Sequence, residues 1–104
     1  MENRSGLHPL GHAVLLKMEG TAQHRGLIEI PETVREKAMA METLAEVVEV
    51  GAEAWRDEGK PRAEPGDLIL MTRFAGFVAK GPLDGELYRL VNDRDIFCRV
   101  DRRD

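Results

Sequence analysis

Glycine, proline and charged turn residues divide this chain into short apolar runs. Each run is rich in Val, Leu or Ile, and none approaches the roughly 20 residues that a membrane-spanning helix needs. Closely spaced short runs of this kind are typical of an all-β fold, here a small irregular β-barrel formed by residues 1–104 as one domain. We expect strands at residues 13–18, 45–50, 68–72, 77–80, 87–91 and 96–100.

A long polar loop, roughly residues 19–44, separates the first two predicted strands and contains one short apolar run. This run has two interpretations. It is either the apolar tip of a polar loop that docks on a partner, or an edge strand with Ile28 and Ile30 facing inward and Glu29 facing water. Periodicity alone favours the edge strand. Beyond Pro31, apolar residues at helical spacing are compatible with a short helix at 32–44. The apolar run consists of Leu27, Ile28, Glu29 and Ile30.

A second polar segment, residues 51–66, is predicted to be a loop or a hairpin. Its one large apolar residue is Trp55, the only tryptophan, which we expect to cover an end of the barrel rather than to stack on a ligand. Further on, Asp84-Gly85 between apolar flanks predicts a β-hairpin. Leu68 to Thr72 is almost unbroken in its apolar character, so this strand should be the most buried. Residues 101–104 should form a frayed tail.

Composition limits the classes of partner. The formal net charge is −4 and no long Lys/Arg run is present, which argues against binding to nucleic acid or to anionic membranes. The first residues lack the charged-then-apolar layout of a signal peptide, and Cys98 is the only cysteine. A single cysteine cannot form an internal disulfide, so a reducing, cytoplasmic compartment is expected.

No catalytic or metal-binding set is apparent. Ser5 is expected in a mobile terminus, and Cys98 is expected to be a buried, inert thiol in the last strand. His8 and His12 are separated by Pro9 and Gly11, which forbid the helix that would align them on a metal. Arginines alternate with the three aspartates Asp93, Asp95 and Asp101, which should form a solvated turn with surface ion pairs. We therefore predict neither enzymatic activity nor a cofactor.

Six segments, taken in order, resemble one known family. They are Pro9-Leu10 with Val14 and Lys17, Pro31 to Lys37, Glu46 to Gly51, Pro65 to Ile69, Leu83 to Tyr88, and Asp95-Ile96. In sequence and spacing they resemble the GroES-type co-chaperonins, the small lid partners of ring chaperonins. Certain bacteriophage-encoded relatives of that family are similar to the chain as well.

The resemblance implies an assembly. Family subunits close into a ring of seven through the first and last strands of neighbours, which would bring Val14 and Leu16 of one subunit against Phe97 and Val100 of the next. It also implies that residues 51–66, with Trp55, form the roof of the dome.

The resemblance further implies that residues 19–37 correspond to the family's mobile loop, whose three apolar residues dock on the apical helices of a GroEL-like chaperonin. Ile28, Glu29 and Ile30 fall on these positions, and Leu27 replaces a glycine. Losing one buried aliphatic anchor costs about 1.5–3 kcal/mol per site, and burying a lone carboxylate costs more. Either Leu27 and Ile28 serve as anchors after a slip of one position, or Glu29 meets a basic group on a matching chaperonin.

Two functions are consistent with these features. The first is a co-chaperonin-like lid subunit that caps a chaperonin in the cytoplasm, with ATP bound by the chaperonin and not by this chain. The second is a bacteriophage structural protein, a capsid decoration or adaptor that binds phage capsid proteins and belongs to the virion. Glu29 and the Met-containing stretch before Leu44 favour the second.

Overall fold

The computed structural model describes residues 2–18, 44–72 and 74–101. Within these residues, six strands form one sheet in which every neighbouring pair is antiparallel. The strands are β1 (Ala13–Met18), β2 (Leu44–Val50), β3 (Leu68–Met71), β4 (Phe77–Lys80), β5 (Leu87–Asn92) and β6 (Ile96–Val100). Their order across the sheet is β4-β5-β1-β2-β3-β6.

The predicted all-β fold is confirmed, and each strand lies within one residue of its predicted limits. In the described part of the chain, the helical segments are two 3-10 turns, Arg56–Glu58 and Asp93–Asp95. The helix predicted at 32–44 lies outside the described residues, except for Leu44, which begins β2.

Strand β1 is the centre of the sheet. It pairs with β2 on one edge and with β5 on the other. Val14 and Leu16 point into the main core, while Leu15 points to the opposite face, and all three side chains are fully buried. Strand β3 has three of its four side chains buried, a larger share than any other described strand, so the expectation that it would be the most buried strand is confirmed. A strand covered on both faces needs a continuous apolar run, which β1 supplies.

The main core lies on one face of the sheet. Aliphatic side chains dominate it, as expected from an aromatic content of 5%, and Trp55 is its one large aromatic member. Its buried members are Val14, Leu16, Ala45, Val47, Trp55, Ala63, Ile69, Met71, Ala75, Val91 and Ile96.

A smaller cluster, formed by Leu15, Val48 and Tyr88, lies on the other face of the sheet, and Leu7 packs on it. The described N-terminal residues are held there by hydrogen bonds, which corrects the expectation of a mobile terminus around Ser5. The Ser5 side chain is fully buried, and its hydroxyl donates to Asn3 Oδ1 at 2.6 Å. The N-terminal segment thus covers the second face of β1 and β2.

The hairpin predicted from Asp84-Gly85 is confirmed between β4 and β5, but its connection is longer than the signal indicates. Lys80 pairs with Leu87, so residues 81–86 form the turn. Gly85 adopts a φ of +74°, and Asp84 Oδ1 accepts the Glu86 N–H at 3.0 Å. The aspartate side chain satisfies the backbone of this wider turn.

Gly76, just before β4, provides a test of the close packing between β4 and β5. Its φ is +62°, and an added Cβ would lie 1.8 Å from the Leu90 carbonyl oxygen. Gly11 has nearly the same φ, +60°, but nothing lies within 4 Å of an added Cβ there. The free energy of unfolding of Gly11→Ala should fall only by the cost of a left-handed backbone at alanine, about 1–2 kcal/mol. That of Gly76→Ala should fall by the same amount and by about 1–3 kcal/mol more, because the added methyl group overpacks the site.

Urea unfolding monitored by far-UV circular dichroism measures both losses. Equal free energies of unfolding for the two variants would show that the backbones of β4 and β5 do not approach each other as closely as the structure indicates.

Candidate partner-binding and assembly site

The predicted partner-binding run, Leu27 to Ile30, lies outside the described residues, as does the whole predicted mobile-loop equivalent, residues 19–37. Both attachment points of this connection are described. Met18 pairs with Ala45, so the chain leaves β1 and re-enters β2 at adjacent positions on one end of the sheet. Leu44 and Ala45 are fully buried, so the connection starts and ends on well-packed strands.

Strand β6 presents a free edge. Of the described strands only β3 pairs with it, and the register between them skips Phe97. Ile96 points into the core, whereas the Phe97 side chain is 66% exposed. Cys98 is exposed as well, so the expectation of a buried thiol is wrong. A free edge beside an exposed aromatic ring is a surface suited to pairing with another strand.

The other residues predicted at a subunit interface occupy different positions. Val14 and Leu16 are fully buried in the core of the single chain, and both edges of β1 are already paired. Their predicted role in an interface stays a prediction, and any contribution from them would be indirect. Val100 is half-buried at the end of β6. Exposed apolar surface near the start of the chain lies instead in the segment that leads into β1, where Leu10 is 82% exposed.

Leu10 borders an apolar groove of about 390 Å³. Pro9, Phe77 and Leu90 line the same groove. The Phe77 side chain is 63% exposed at the edge strand β4. The described barrel therefore has exposed apolar side chains next to both of its edge strands.

Trp55 lies in the loop 51–66 but belongs to the core, with only 1% of its surface exposed. Its backbone N–H donates to Asp93 Oδ2 at 2.7 Å, and its indole Nε1–H donates to the Asp93 carbonyl oxygen at 2.7 Å. His12 Nδ1 lies 3.1 Å from the same carboxylate oxygen. Asp93 thus joins the loop, the lead-in to β1 and the turn before β6.

Asp93 corrects the expectation of a fully solvated acidic turn. Only 4% of its surface is exposed, and it begins the 3-10 turn Asp93–Asp95. Burial alone would raise the pKa of the Asp93 carboxyl, but the hydrogen bond from the Trp55 N–H and the nearby His12 hold it below its ordinary value. The group is therefore a buried carboxylate that is matched by specific donors.

Further contacts hold the loop 51–66 against the barrel. Arg62 Nη1 donates to the Ile96 carbonyl oxygen at 2.7 Å, and Arg94 pairs with Asp57 at 2.8 Å. The segment contains a 3-10 turn and no strand, so it is a loop rather than a hairpin. Its predicted role as a roof over an assembled ring stays a prediction.

Among residues 2–18, 44–72 and 74–101, no three His, Cys, Asp or Glu side chains are placed to hold a metal ion together. Among these same residues, no helix is long and apolar enough to cross a membrane. The single serine is buried and hydrogen-bonded to Asn3.

The sequence-based reasoning missed the role of Asp93, although one signal was available. A buried tryptophan usually needs an acceptor for its indole N–H. The lone Trp55 therefore implied a buried acceptor elsewhere in the chain, but only the fold could identify it as Asp93.

Comparison with known proteins decides the family. The family model described as "Chaperonin 10 Kd subunit" matches residues 6–100, which include all six strands. The chain belongs to the chaperonin 10 family. The resemblance inferred from the six sequence segments is therefore confirmed.

Individual members of the chaperonin 10 family are similar over nearly their whole length. The co-chaperonin GroES of Halothermothrix orenii is 28% identical over 97 residues, covering 92% of this chain and 98% of the relative. The co-chaperonin GroES of Trichlorobacter lovleyi is 30% identical over 100 residues, with the same two coverages. The co-chaperonin GroES of Caulobacter sp. strain K31 is 36% identical over 97 residues, covering 89% of this chain and 95% of the relative.

The Trp55→Phe substitution tests the junction at Asp93. It keeps an aromatic ring in the core but leaves the buried Asp93 carbonyl oxygen without its indole donor. We expect the free energy of unfolding to fall by about 1–3 kcal/mol, measured by urea denaturation with circular dichroism.

Tyr88→Phe is the matched control. The Tyr88 hydroxyl donates to the exposed Asp84 carboxylate. Burial is the larger cause, and this hydrogen bond the second, that raises the pKa of Tyr88 to about 12. Water can replace the hydroxyl at Asp84, so this loss of stability should be the smaller one. A Trp55→Phe loss no greater than the Tyr88→Phe loss would contradict a structural role for the indole bond.

Proposed function

We propose that this chain is a co-chaperonin subunit that assembles into a ring and caps a GroEL-like chaperonin. The observation that carries the proposal is its membership of the chaperonin 10 family over residues 6–100, the span that contains the complete described barrel. Relatives that cover at least 89% of the chain carry the name co-chaperonin GroES. In this role the chain does no chemistry of its own, and the chaperonin binds and hydrolyses the nucleotide.

Contact with the chaperonin would be made by the connection between β1 and β2. Leu27, Ile28 and Ile30 are its apolar residues around Glu29. Support comes from the paired ends of β1 and β2, which fix both ends of the connection to the same part of the barrel. Several such loops on one ring would act together, so a weak contact in each loop adds up to firm capping.

Assembly would use the free edge of β6. Phe97 is exposed there and lies outside the register with β3, while Phe77 is exposed on β4, at the opposite end of the sheet order, and lines a groove together with the exposed Leu10. Two different surfaces that meet head to tail generate a closed ring when the rotation between subunits is suitable. By family resemblance, the expected ring contains seven subunits.

Co-sedimentation with a chaperonin ring in the presence of ATP tests the capping function. We expect the natural chain to bind and Glu29→Ile to bind more tightly, because an aliphatic side chain replaces a carboxylate at an anchor position. A gain of about 1.5–3 kcal/mol per site corresponds to about a tenfold to hundredfold rise in affinity.

Glu86→Ile is the control for unspecific adhesion, because Glu86 is an exposed glutamate in the β4–β5 turn, far along the chain from the binding loop. It should bind like the natural chain. If neither the natural chain nor Glu29→Ile sediments with the chaperonin, the proposed function is wrong. In that case, mass spectrometry of purified phage particles tests the structural alternative.

Native mass spectrometry of Phe97→Asp tests the assembly edge. A charge in the centre of a subunit contact should reduce the ring to smaller species. Leu83→Asp is the matched control, because the Leu83 side chain is 79% exposed in the β4–β5 turn and should tolerate the same charge. An intact ring of Phe97→Asp subunits would rule out the β6 edge as the assembly surface.

A further inference from the structure

Three separate parts of the chain meet at one buried side chain. Asp93 accepts the Trp55 N–H from the loop 51–66 and faces His12 at the lead-in to β1. It also begins the turn from which β6 starts. We propose that Asp93, Trp55 and His12 form an acid-released latch, which holds the loop 51–66 against the barrel until Asp93 is protonated. The latch follows from the geometry of the single chain and does not depend on the proposed co-chaperonin function.

The two bonds between Trp55 and Asp93 differ in chemistry. The indole Nε1–H donates to a backbone carbonyl oxygen, which does not titrate. The Trp55 backbone N–H donates to carboxylate oxygen Oδ2, the same atom that faces His12 Nδ1. A carboxylate oxygen accepts both contacts, whereas a protonated carboxyl group loses the charge that strengthens them. Protonation of Asp93 therefore weakens one bond and the His12 contact together.

The backbone of Trp55 gives the titratable bond a second effect. Trp55 is the one non-glycine residue with a positive φ among the described residues, at 55°. A large side chain adopts this left-handed conformation only where the surroundings enforce it. The bond from the Trp55 N–H to Asp93 is such a constraint. Weakening it allows the backbone to return to an unstrained conformation, which draws the indole ring out of the core.

The charges around the latch favour the ionised form of Asp93. His12, on the lead-in to β1, attracts Asp93 when its ring is protonated, and Arg62, in the loop 51–66, is a cation that Asp93 attracts. The Arg94 N–H, from the turn itself, also donates toward the Asp93 carboxylate. Glu53, in the loop 51–66, acts against this stabilisation of the Asp93 carboxylate, because its own carboxylate also attracts His12.

The direction in which the pKa of Asp93 is shifted determines how the latch responds to pH. Although burial alone would raise the pKa of Asp93, its donors hold it below the ordinary 3.8. The stabilisation is thus complete above the ordinary value and is lost as the pH falls through the lower folded value. The loop is released in acid and held at neutral pH.

Release of the loop would also alter the β6 edge. A groove of about 410 Å³ separates the loop from this edge, with Lys60 and Pro61 on one side and Phe97 and Arg99 on the other. The Arg62 bond to the Ile96 carbonyl oxygen joins the two sides. The latch therefore couples the position of the loop to the surface that β6 presents.

Trp55 is the only tryptophan, so its fluorescence reports the latch directly. The experiment compares tryptophan emission and iodide quenching with far-UV circular dichroism between about pH 8 and about pH 2, a range that extends below the ordinary carboxyl titration. We expect the emission to shift to the red, and quenching to rise, at a pH where the sheet signal is still native. The same pH midpoint for emission and circular dichroism would overturn the latch.

Asp93→Asn is the central variant, because its amide is neutral at every pH and cannot supply the charge that strengthens the Trp55 and His12 contacts. It should lack the separate acid step in emission. Asp84→Asn is the matched control, since the Tyr88 hydroxyl and the Glu86 N–H hold the pKa of Asp84 below its ordinary value at a site remote from Trp55. This control should keep the acid step, and an acid step in Asp93→Asn would overturn the proposal.

His12→Gln provides an independent test that does not depend on how well Asp93→Asn folds. Removing the cation that faces Asp93 should move the emission midpoint upward by about 1 pH unit, the low end of the effect of a nearby opposite charge. A midpoint that does not move, or that moves downward, would show that His12 is not part of the latch.

Discussion

The burial of β1 on both faces is the constraint on which the rest of the structure depends. Its two edges are paired with β2 and β5, and its three central side chains are completely buried. The main core covers one face of β1, and the N-terminal segment, which hydrogen bonds of Asn3 and Ser5 hold in place, covers the other. Because β1 occupies the centre, the outer positions fall to β4 and β6. The surfaces available for assembly are thus a consequence of how β1 is covered.

Asp93 is the polar counterpart of this apolar centre. A buried carboxylate is costly unless donors surround it, and here the Trp55 N–H and His12 supply the matching contacts. The same residue accepts the indole N–H through its backbone, so the largest side chain of the core is oriented by one partner. The loop 51–66 consequently lies against the barrel, where Arg62 reaches the first residue of β6.

Most of the fold could be predicted from the sequence, because strand positions depend on local patterns. Apolar runs broken by glycine and proline placed every strand within one residue, and the six motif segments indicated the chaperonin 10 family. The errors concern burial. Ser5 and Asp93 were expected at the surface and are buried, and Cys98 was expected inside and is exposed. Burial depends on which distant segment covers a residue, and no local pattern specifies that segment.

The sequence by itself determined the strands, the family and the unusual carboxylate of Glu29 within an apolar run. These features follow from residue type and order over a few neighbouring positions. Tertiary structure alone decided that β1 is central, that β6 has a free edge and that Asp93 receives both N–H groups of Trp55. The physical reason is distance along the chain. Trp55 and Asp93 are brought together only when the sheet between them has formed, because that sheet sets which side chains meet.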